Sequence, residues 1–307
     1  MTATTATTKA ATAARAPTLA DLSHSALPLR RRITDRVTRM LMASALAVAV
    51  IPLGFVVYAV GSRGVGVWSW EFFTDDIPFS YRREGGGMYP AIVGTVVITG
   101  AATAMAIPLG ILGAIYLSEY GKQRPLARAI RLMADVMTGV PSIVMGLFVY
   151  VTWVTVTRAQ SGFAAALALA LLMLPIVIRS SEEALRLVPD ALRQASLALG
   201  APRWRTTVSV VLPAALSGIT SGGLLAIARA AGETAPLVVT AGIAFSANWS
   251  LAGSNTALTA QIFRNASQPF EAAQDRAWGA ALTLIVIVLV FTVLARVVAR
   301  RFAIPGR

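Results

Sequence analysis

Residues 206–228 read TTVSVVLPAALSGITSGGLLAIA, a run of 23 residues without a charged side chain. As an α-helix this run is about 35 Å long, which is enough to cross the roughly 30 Å hydrocarbon core of a bilayer. A soluble domain seldom contains an apolar run of this length without a charge. The run therefore predicts a membrane-spanning helix.

Five further charge-free runs have the length of a span. They cover residues 40–60, 88–117, 136–157, 161–178 and 277–295. With the first run, extended to 206–235, they predict an all-α integral membrane protein of six transmembrane helices within residues 40–300. The apolar stretch 235–247 is too short to span unaided, so it is either the outer end of the fifth helix or a re-entrant segment.

The composition agrees with a chain that folds in lipid. Hydrophobic residues make up 56% and charged residues 13% of the 307 residues, whereas soluble domains carry about 25% charged residues. The net charge of +13 does not indicate nucleic-acid binding, because the basic residues flank apolar runs and lack interleaved aromatic side chains. The absence of cysteine and the position of the one histidine, His24, in a polar segment argue against thiol catalysis and metal ligation.

The distribution of Lys and Arg predicts the orientation. Of 27 such residues, twenty lie on the side that holds both chain ends and the loops 118–135 and 179–205, here called the Arg-rich side; six lie on the other side. Because cytoplasmic loops are enriched in Lys and Arg, both termini are predicted to lie in the cytoplasm. Residues 1–39 are predicted to form a disordered basic tail and residues 301–307 a second basic tail.

The loop 179–205 has the composition of a docking element. Pro189-Asp190 is typical of a helix start and Gly200 of a helix stop. The loop is therefore predicted to form a short helix, a turn and a second short helix that begins near Trp204. A loop that only reverses the chain needs a few polar residues, whereas this one offers small apolar side chains that suit a groove on a partner protein.

The same loop resembles the cytoplasmic signature of permease subunits of bacterial ATP-binding-cassette (ABC) importers. That signature is Glu-Ala-Ala, three residues, Gly, nine residues and Ile-x-Leu-Pro, and its spacing is matched here by Gln194, Ala195, Ser196, Gly200, Leu212 and Pro213. The resemblance implies the type I (MetI-like) permease fold, with this segment as the coupling helix in a cleft of an ATPase subunit. Gln194 and Ser196 depart from the signature, so a salt bridge from the first position to the ATPase is not expected.

An ionisable pair follows the charge-free run 206–228. Arg229 and Glu233 are four residues apart and share a face if the helix continues. Ionisable groups in a span cost at least about 2.5 kcal/mol each, so both are expected to face the bundle or a water-filled path. Discontinuous helices are common substrate sites in transporters, and a substrate pathway or gate is predicted at Arg229, Glu233, Thr234 and Pro236. Two roles remain open: Arg229 exchanges Glu233 for an anion, or the pair is a permanent tether.

Three stretches are similar to the A-type permeases of phosphate-specific ABC importers. They are Arg229 with Gly-Glu-Thr-Ala-Pro-Leu at 232–237, the segment 139–147 (GVPSIVMGL) and the segment 85–95 (GGGMYPAIVGT). The resemblance implies import of inorganic phosphate across a bacterial inner membrane, with two copies of a separate ATPase, a related C-type permease and an extracytoplasmic phosphate-binding protein. It also implies that ATP and Mg bind to the ATPase and that this chain carries no cofactor and no catalytic activity.

Other functions remain open. The chain has no Gly-x-x-x-x-Gly-Lys-Ser/Thr nucleotide loop, since Gly121-Lys122 is followed by Gln123 and lacks the upstream glycine. The alternatives are a permease for another oxyanion, an intramembrane enzyme that uses Glu233 as acid or base, and a stand-alone channel. The enzyme would need a second acid or nucleophile at the same depth, and the channel does not explain the docking loop.

Overall fold

The computed structural model describes residues 29–121 and 124–302, and these residues form helices and loops without a β-strand. The helices are α1 (Leu29–Gly64), α2 (Trp70–Thr74), α3 (Tyr89–Ile115), α4 (Pro125–Gly139), α5 (Ser142–Val149), α6 (Gly162–Arg186), α7 (Asp190–Ala198), α8 (Arg203–Thr206), α9 (Leu212–Ala231), α10 (Ala235–Thr240), α11 (Leu258–Ala266) and α12 (Glu271–Phe302). Short helical turns extend several of them: Val65–Val67, Tyr116–Gly121, Tyr150–Val154 with Thr155–Thr157, and Thr207–Val211. The predicted all-α class is confirmed.

Five helices, and a sixth segment if a bent pair is counted as one, are long and apolar enough to cross a membrane. In order, the first to sixth spans are Ile33–Val67, Tyr89–Gly121, the bent pair Pro125–Gly139 and Ser142–Thr157, Gly162–Arg186, Arg203–Ala231 and Glu271–Val293. The helices extend beyond the charge-free runs because long charged side chains on the end turns can reach water while their stems stay apolar. The chain is a multi-pass membrane protein, as its composition predicts.

The predicted tails fall largely outside the described ranges. Residues 1–28 and 303–307 are not described. Residues 29–39, predicted as part of a disordered tail, are instead the start of α1. The chain divides after Val57 into two units, and all helices from α2 onward belong to the second unit.

The third span is not the single helix that the run 136–157 predicts. Helices α4 and α5 meet at an angle of 107° across a break at Val140 and Pro141. A residue that precedes proline avoids the helical region, and Val140 has φ −72° and ψ 130°. Gly139 ends α4 just before this point, so the two residue types that interrupt helices most strongly lie within the run.

The fifth span also differs from its predicted bounds of 206–235. It begins at Arg203, passes through a wider π-helical turn and ends at Ala231. Pro213 explains the wider turn, because it has no N–H to donate to a carbonyl one turn earlier. The apolar stretch after residue 235 is not an extension of this helix, since α10 is a separate short helix.

Helix α6 is at the centre of the second unit, between α3 and α9. The packed side chains are mostly small, and they include Ala102, Ala106, Ala165, Ala166, Leu169, Met173, Ala226 and Ala230. Lipid tails are as apolar as these side chains, so helix association in a membrane relies on the close packing that small residues allow. This packing fixes the positions of the helix ends that form the candidate site.

Candidate functional site

A helix break, a helix end and a proline within a continuous helix meet at one cavity in the second unit. The break at Val140–Pro141 separates α4 from α5, Pro175 lies inside α6, and α9 ends at Ala231. The cavity measures about 170 Å³ and is lined by Met137, Thr138, Val140, Pro141, Ser142, Leu172, Met173, Pro175, Ile176, Ala226, Arg229, Ala230 and Glu233. Irregular backbone within a membrane protein is tolerated where it lines such a cavity.

Arg229 and Glu233 both line the cavity, but they are only loosely paired. Nε of Arg229 lies 3.8 Å from Oε1 of Glu233, beyond hydrogen-bond range. The Arg229 side chain is 65% exposed and that of Glu233 is 19% exposed. The two residues do not share the face of one helix, because α9 ends at Ala231 and a turn places Glu233 past the helix end. The Arg229 guanidinium therefore retains donors for another acceptor.

Thr234 and Pro236, the other two predicted pathway residues, do not line the cavity. The carbonyl of Thr234 accepts the N–H of Leu237 at 3.1 Å as α10 begins. Pro236 is buried, and a Cβ built on Gly146 would lie 2.6 Å from the Pro236 Cα. Only glycine at position 146 allows α5 to approach α10 this closely. Thr234 and Pro236 lie next to the cavity, outside its lining.

Two hydroxyl side chains in the cavity wall, Thr138 and Ser142, are absent from the predicted pathway residues. They flank the break between α4 and α5. Thr138 Oγ1 donates to the carbonyl of Asp135 at 2.7 Å, and Ser142 is the first residue of α5, where backbone N–H groups lack intrahelical acceptors. The tripeptide Gly139-Val140-Pro141 indicates that one helix stops and another starts here, and this signal could have located both residues from the sequence.

The cavity wall combines one cation, one acid and two hydroxyl groups. A planar guanidinium offers parallel donors to two oxygens of an oxyanion, and the Ser142 hydroxyl adds a further donor. A water molecule needs only about 10–15 Å³ of such space, so a cavity of 170 Å³ accommodates a small polyatomic ion. Within residues 29–121 and 124–302, no group of three or more His, Cys, Asp and Glu is placed to hold a metal ion.

Helix α11 supports the cavity from beyond the end of α9. Thr259 Oγ1 donates to the carbonyl of Glu233 at 2.9 Å. The N–H of Leu258 donates to Thr95 Oγ1 in α3, also at 2.9 Å. These two bonds connect the break after α9 to the second span. No apolar run in this segment is long enough to predict the helix from the sequence.

The loop after the fourth span forms the predicted helix, turn and helix. Helices α7 and α8 are separated by a turn in which Gly200 has φ +83°, a conformation that costs other residues about 1–2 kcal/mol. The exposed side chains on α7 and just after it include Leu192, Gln194, Ala195, Leu197 and Leu199. Exposed apolar side chains on a short helix of a loop are typical of surfaces that bind another protein.

The remaining residues of the signature lie away from this exposed surface. Leu212 and Pro213 begin α9, where Leu212 packs against a buried cluster that includes Val211 and Ala215. Ser196 lies on α7, and its Oγ is 2.9 Å from Thr206 Oγ1. These residues shape the start of the fifth span instead of adding to the surface of α7.

A buried ion cluster connects the third and fourth spans. Glu182 is 1% exposed, and its Oε1 lies 2.7 Å from Nε of Arg131 and 2.6 Å from Nη2 of Arg186. Arg179 pairs with the second carboxylate oxygen at 3.5 Å and also with Asp135. The spacing of Arg179, Glu182 and Arg186 was readable from the sequence, but Arg131 lies on another span, so the cluster was not predicted.

The fold and the site define a class: a multi-pass permease with a cavity at interrupted helices and an exposed helical loop. Residues 106–304 match a family model described as "Binding-protein-dependent transport system inner membrane component". The chain is 44% identical over 281 residues to the phosphate transport system permease protein PstA 1 of Mycobacterium tuberculosis, covering 89% of this chain and 90% of that protein. It is 40% identical over 270 residues to PstA of Yersinia pestis, covering 87% and 90%. The chain belongs to the PstA family of phosphate transport system permeases.

Solved structures agree with the fold. A chain of a bacterial alginate ABC transporter aligns with a TM-score of 0.64 at 14% identity, covering 91% of this chain and 99% of that chain. A chain of the MetNI methionine ABC transporter aligns with a TM-score of 0.55 at 19% identity, covering 70% and 94%. The predicted MetI-like permease fold is confirmed.

Proposed function

We propose that this chain is the transmembrane permease of an ATP-driven importer of inorganic phosphate. The relatives named above are phosphate transport permeases. The observation that carries the proposal within this chain is Arg229, which lines a cavity beside a helix break and a helix end and is not held by a short ion pair. A guanidinium fits two phosphate oxygens through parallel N–H donors.

In this proposal, phosphate replaces Glu233 as the partner of Arg229 while it passes. A pair at 3.8 Å with an exposed cation is weak, so the exchange needs little energy. Glu233 then competes for Arg229 and prevents phosphate from staying bound. The competing hypothesis, a permanent tether, fits a short and shielded pair such as that of Arg131 with Glu182 better than it fits this one.

The energy for transport comes from a separate ATPase in this proposal. Helix α7, here called the coupling helix, presents exposed apolar side chains that suit a cleft on that subunit. The proposed assembly holds two ATPase copies, which bind ATP and Mg, a related C-type permease and an extracytoplasmic phosphate-binding protein. This chain binds no cofactor and catalyses no reaction, and both of its termini lie in the cytoplasm.

The test is uptake of labelled phosphate by proteoliposomes that contain this chain, its partner permease and the ATPase, with binding protein and ATP supplied on the proper sides. We expect that uptake requires every component. We also expect that excess sulfate or molybdate does not reduce the uptake of phosphate. Stronger competition by another oxyanion would replace phosphate as substrate without changing the fold. Uptake without ATPase would indicate a channel.

The role of the ionisable pair has its own test. We expect Arg229→Lys and Glu233→Gln to reduce phosphate uptake, and the charge swap of Arg229→Glu with Glu233→Arg not to restore it, because the swap moves the cation within the cavity. A tether requires only that opposite charges face each other. Full recovery of uptake by the swap would therefore reject direct contact between Arg229 and phosphate.

A further inference from the structure

The coupling helix is attached to the rest of the protein almost without apolar burial. None of its residues, Asp190–Ala198, is buried. Within the described residues, the side-chain hydrogen bonds and ion pairs that attach it to the spans come from Arg193 and Ser196. A force applied to this helix is passed to the membrane spans through those bonds and through the short backbone segment 187–189 that joins the helix to the fourth span.

Arg193 connects the coupling helix to the ends of two spans. Its Nη2 lies 3.1 Å from Oε1 of Glu119, in the turn that ends the second span, and its Nε donates to the same oxygen at 3.3 Å. Its Nη1 donates to the carbonyl of Val188 at 2.6 Å, and its Nη2 donates to that of Leu185 at 2.7 Å. The Leu185 carbonyl lies in the last turn of the fourth span, and the Val188 carbonyl lies two residues past the end of that span.

Ser196 provides the connection to a third span. Its Oγ lies 2.9 Å from Oγ1 of Thr206, a buried residue at the start of the fifth span. Ser196 and Arg193 are three residues apart, so they lie on neighbouring positions of one helical turn. One turn of the coupling helix is thus bonded to the second, fourth and fifth spans.

We propose that Arg193 is a positioning residue that makes the coupling helix and the ends of these spans one rigid joint, so that a push on the helix moves the spans together. The proposal rests on the function proposed above. The side chains of Arg193 and Glu119 are 13% and 12% exposed, and hydrogen bonds between ionised groups that are shielded from water are stronger than those between neutral groups. Without them the helix moves on the ATPase while the spans stay in place.

The test measures phosphate transported per ATP hydrolysed in the complete reconstituted complex. Arg193→Met and Glu119→Gln are compared with Glu183→Gln. Glu183 is a matched control because it lies in the last turn of the fourth span, outside the coupling helix, is exposed and forms no ion pair within the described ranges. We expect Arg193→Met and Glu119→Gln to assemble and hydrolyse ATP while transporting roughly tenfold less phosphate per ATP, Arg193→Lys to fall between, and Glu183→Gln to match the unmodified protein.

An unchanged ratio in Arg193→Met and Glu119→Gln would overturn the proposal. So would a parallel loss of ATP hydrolysis, transport and assembly in Arg193→Lys and Glu119→Gln, since it would assign Arg193 a structural role alone. An unmodified complex that hydrolyses ATP in response to loaded binding protein yet imports no phosphate would instead reject the proposed function.

A disulfide tests rigidity without removing any bond of Arg193. The chain contains no cysteine, so Ser196→Cys with Thr206→Cys introduces a single pair, at positions whose side-chain oxygens are 2.9 Å apart. If the joint is rigid, oxidation leaves phosphate transport per ATP unchanged. Transport that stops on oxidation and returns on reduction would show that the joint must flex, and would overturn the proposal.

Discussion

Glu182→Gln removes the charge of a buried carboxylate while keeping the shape of its side chain. The carboxylate lies 2.7 Å from Nε of Arg131, whose side chain is 19% exposed, and 2.6 Å from Nη2 of Arg186, whose side chain is 57% exposed. Removing one partner of a buried pair costs about 3–5 kcal/mol, whereas an exposed pair contributes about 0–1 kcal/mol. The expected loss of folding free energy is therefore about 3 kcal/mol, mostly through Arg131.

The assay is the free energy of unfolding of the purified chain in detergent micelles, followed by circular dichroism. Glu183→Gln is the control, because Glu183 is the neighbouring residue, is exposed and forms no ion pair within the described ranges. Changes of this kind at the surface stay within about 0.5 kcal/mol. Equal unfolding free energies for the two variants would refute the assignment of Glu182 as a structural centre between the third and fourth spans.

Three further variants test the cavity, the helix packing and the turn. Arg229→Met should lower the initial rate of phosphate uptake about tenfold or more, because it removes charge-assisted hydrogen bonds; unaltered uptake would exclude the residue from the pathway. Gly146→Ala should destabilise the fold by about 1–3 kcal/mol, since its new Cβ would lie 2.6 Å from the Pro236 Cα, whereas Gly139→Ala meets nothing within 4 Å. Melting temperatures in detergent compare these two, and equal values would contradict the close contact. Gly200→Ala adds no clash but must adopt φ +83°, at a cost of about 1–2 kcal/mol; undiminished co-purification of the ATPase and undiminished transport would show that the turn tolerates it.

The spans were predictable because charged side chains are costly in lipid, so each span appears in the sequence as a long charge-free run. Such a run does not show where a helix breaks. The run 136–157 contains Gly139 and Pro141 and no charge, so a scan for charge merges α4 and α5 into one span. The run 206–228 similarly gives the fifth span but not its end, because Gly232 interrupts the helix without changing the hydropathy.

The site was predictable only where its residues are close in sequence. Arg229 and Glu233 were recognised because both are ionisable, lie four residues apart and follow an apolar run. Thr138 and Ser142 reach the same cavity from the third span, and nothing in their own segment indicates which helix they face. The pairing of Arg193 with Glu119 joins residues 74 positions apart, so it depends on the packing of the second span against the fourth.

Two kinds of ion pair among the described residues suit different tasks. Those of Glu182 with Arg131 and of Glu119 with Arg193, at 2.7 and 3.1 Å, are within hydrogen-bond range and shielded, and both lie where loops of the Arg-rich side join the spans. The pair of Arg229 with Glu233 is long and open, and it lies at a cavity. Shielded pairs resist separation, which suits parts that must move together. An open pair separates at little cost. A passing anion therefore has to compete only with Glu233 for the guanidinium of Arg229. The bonds that hold the helix bundle together are not disturbed.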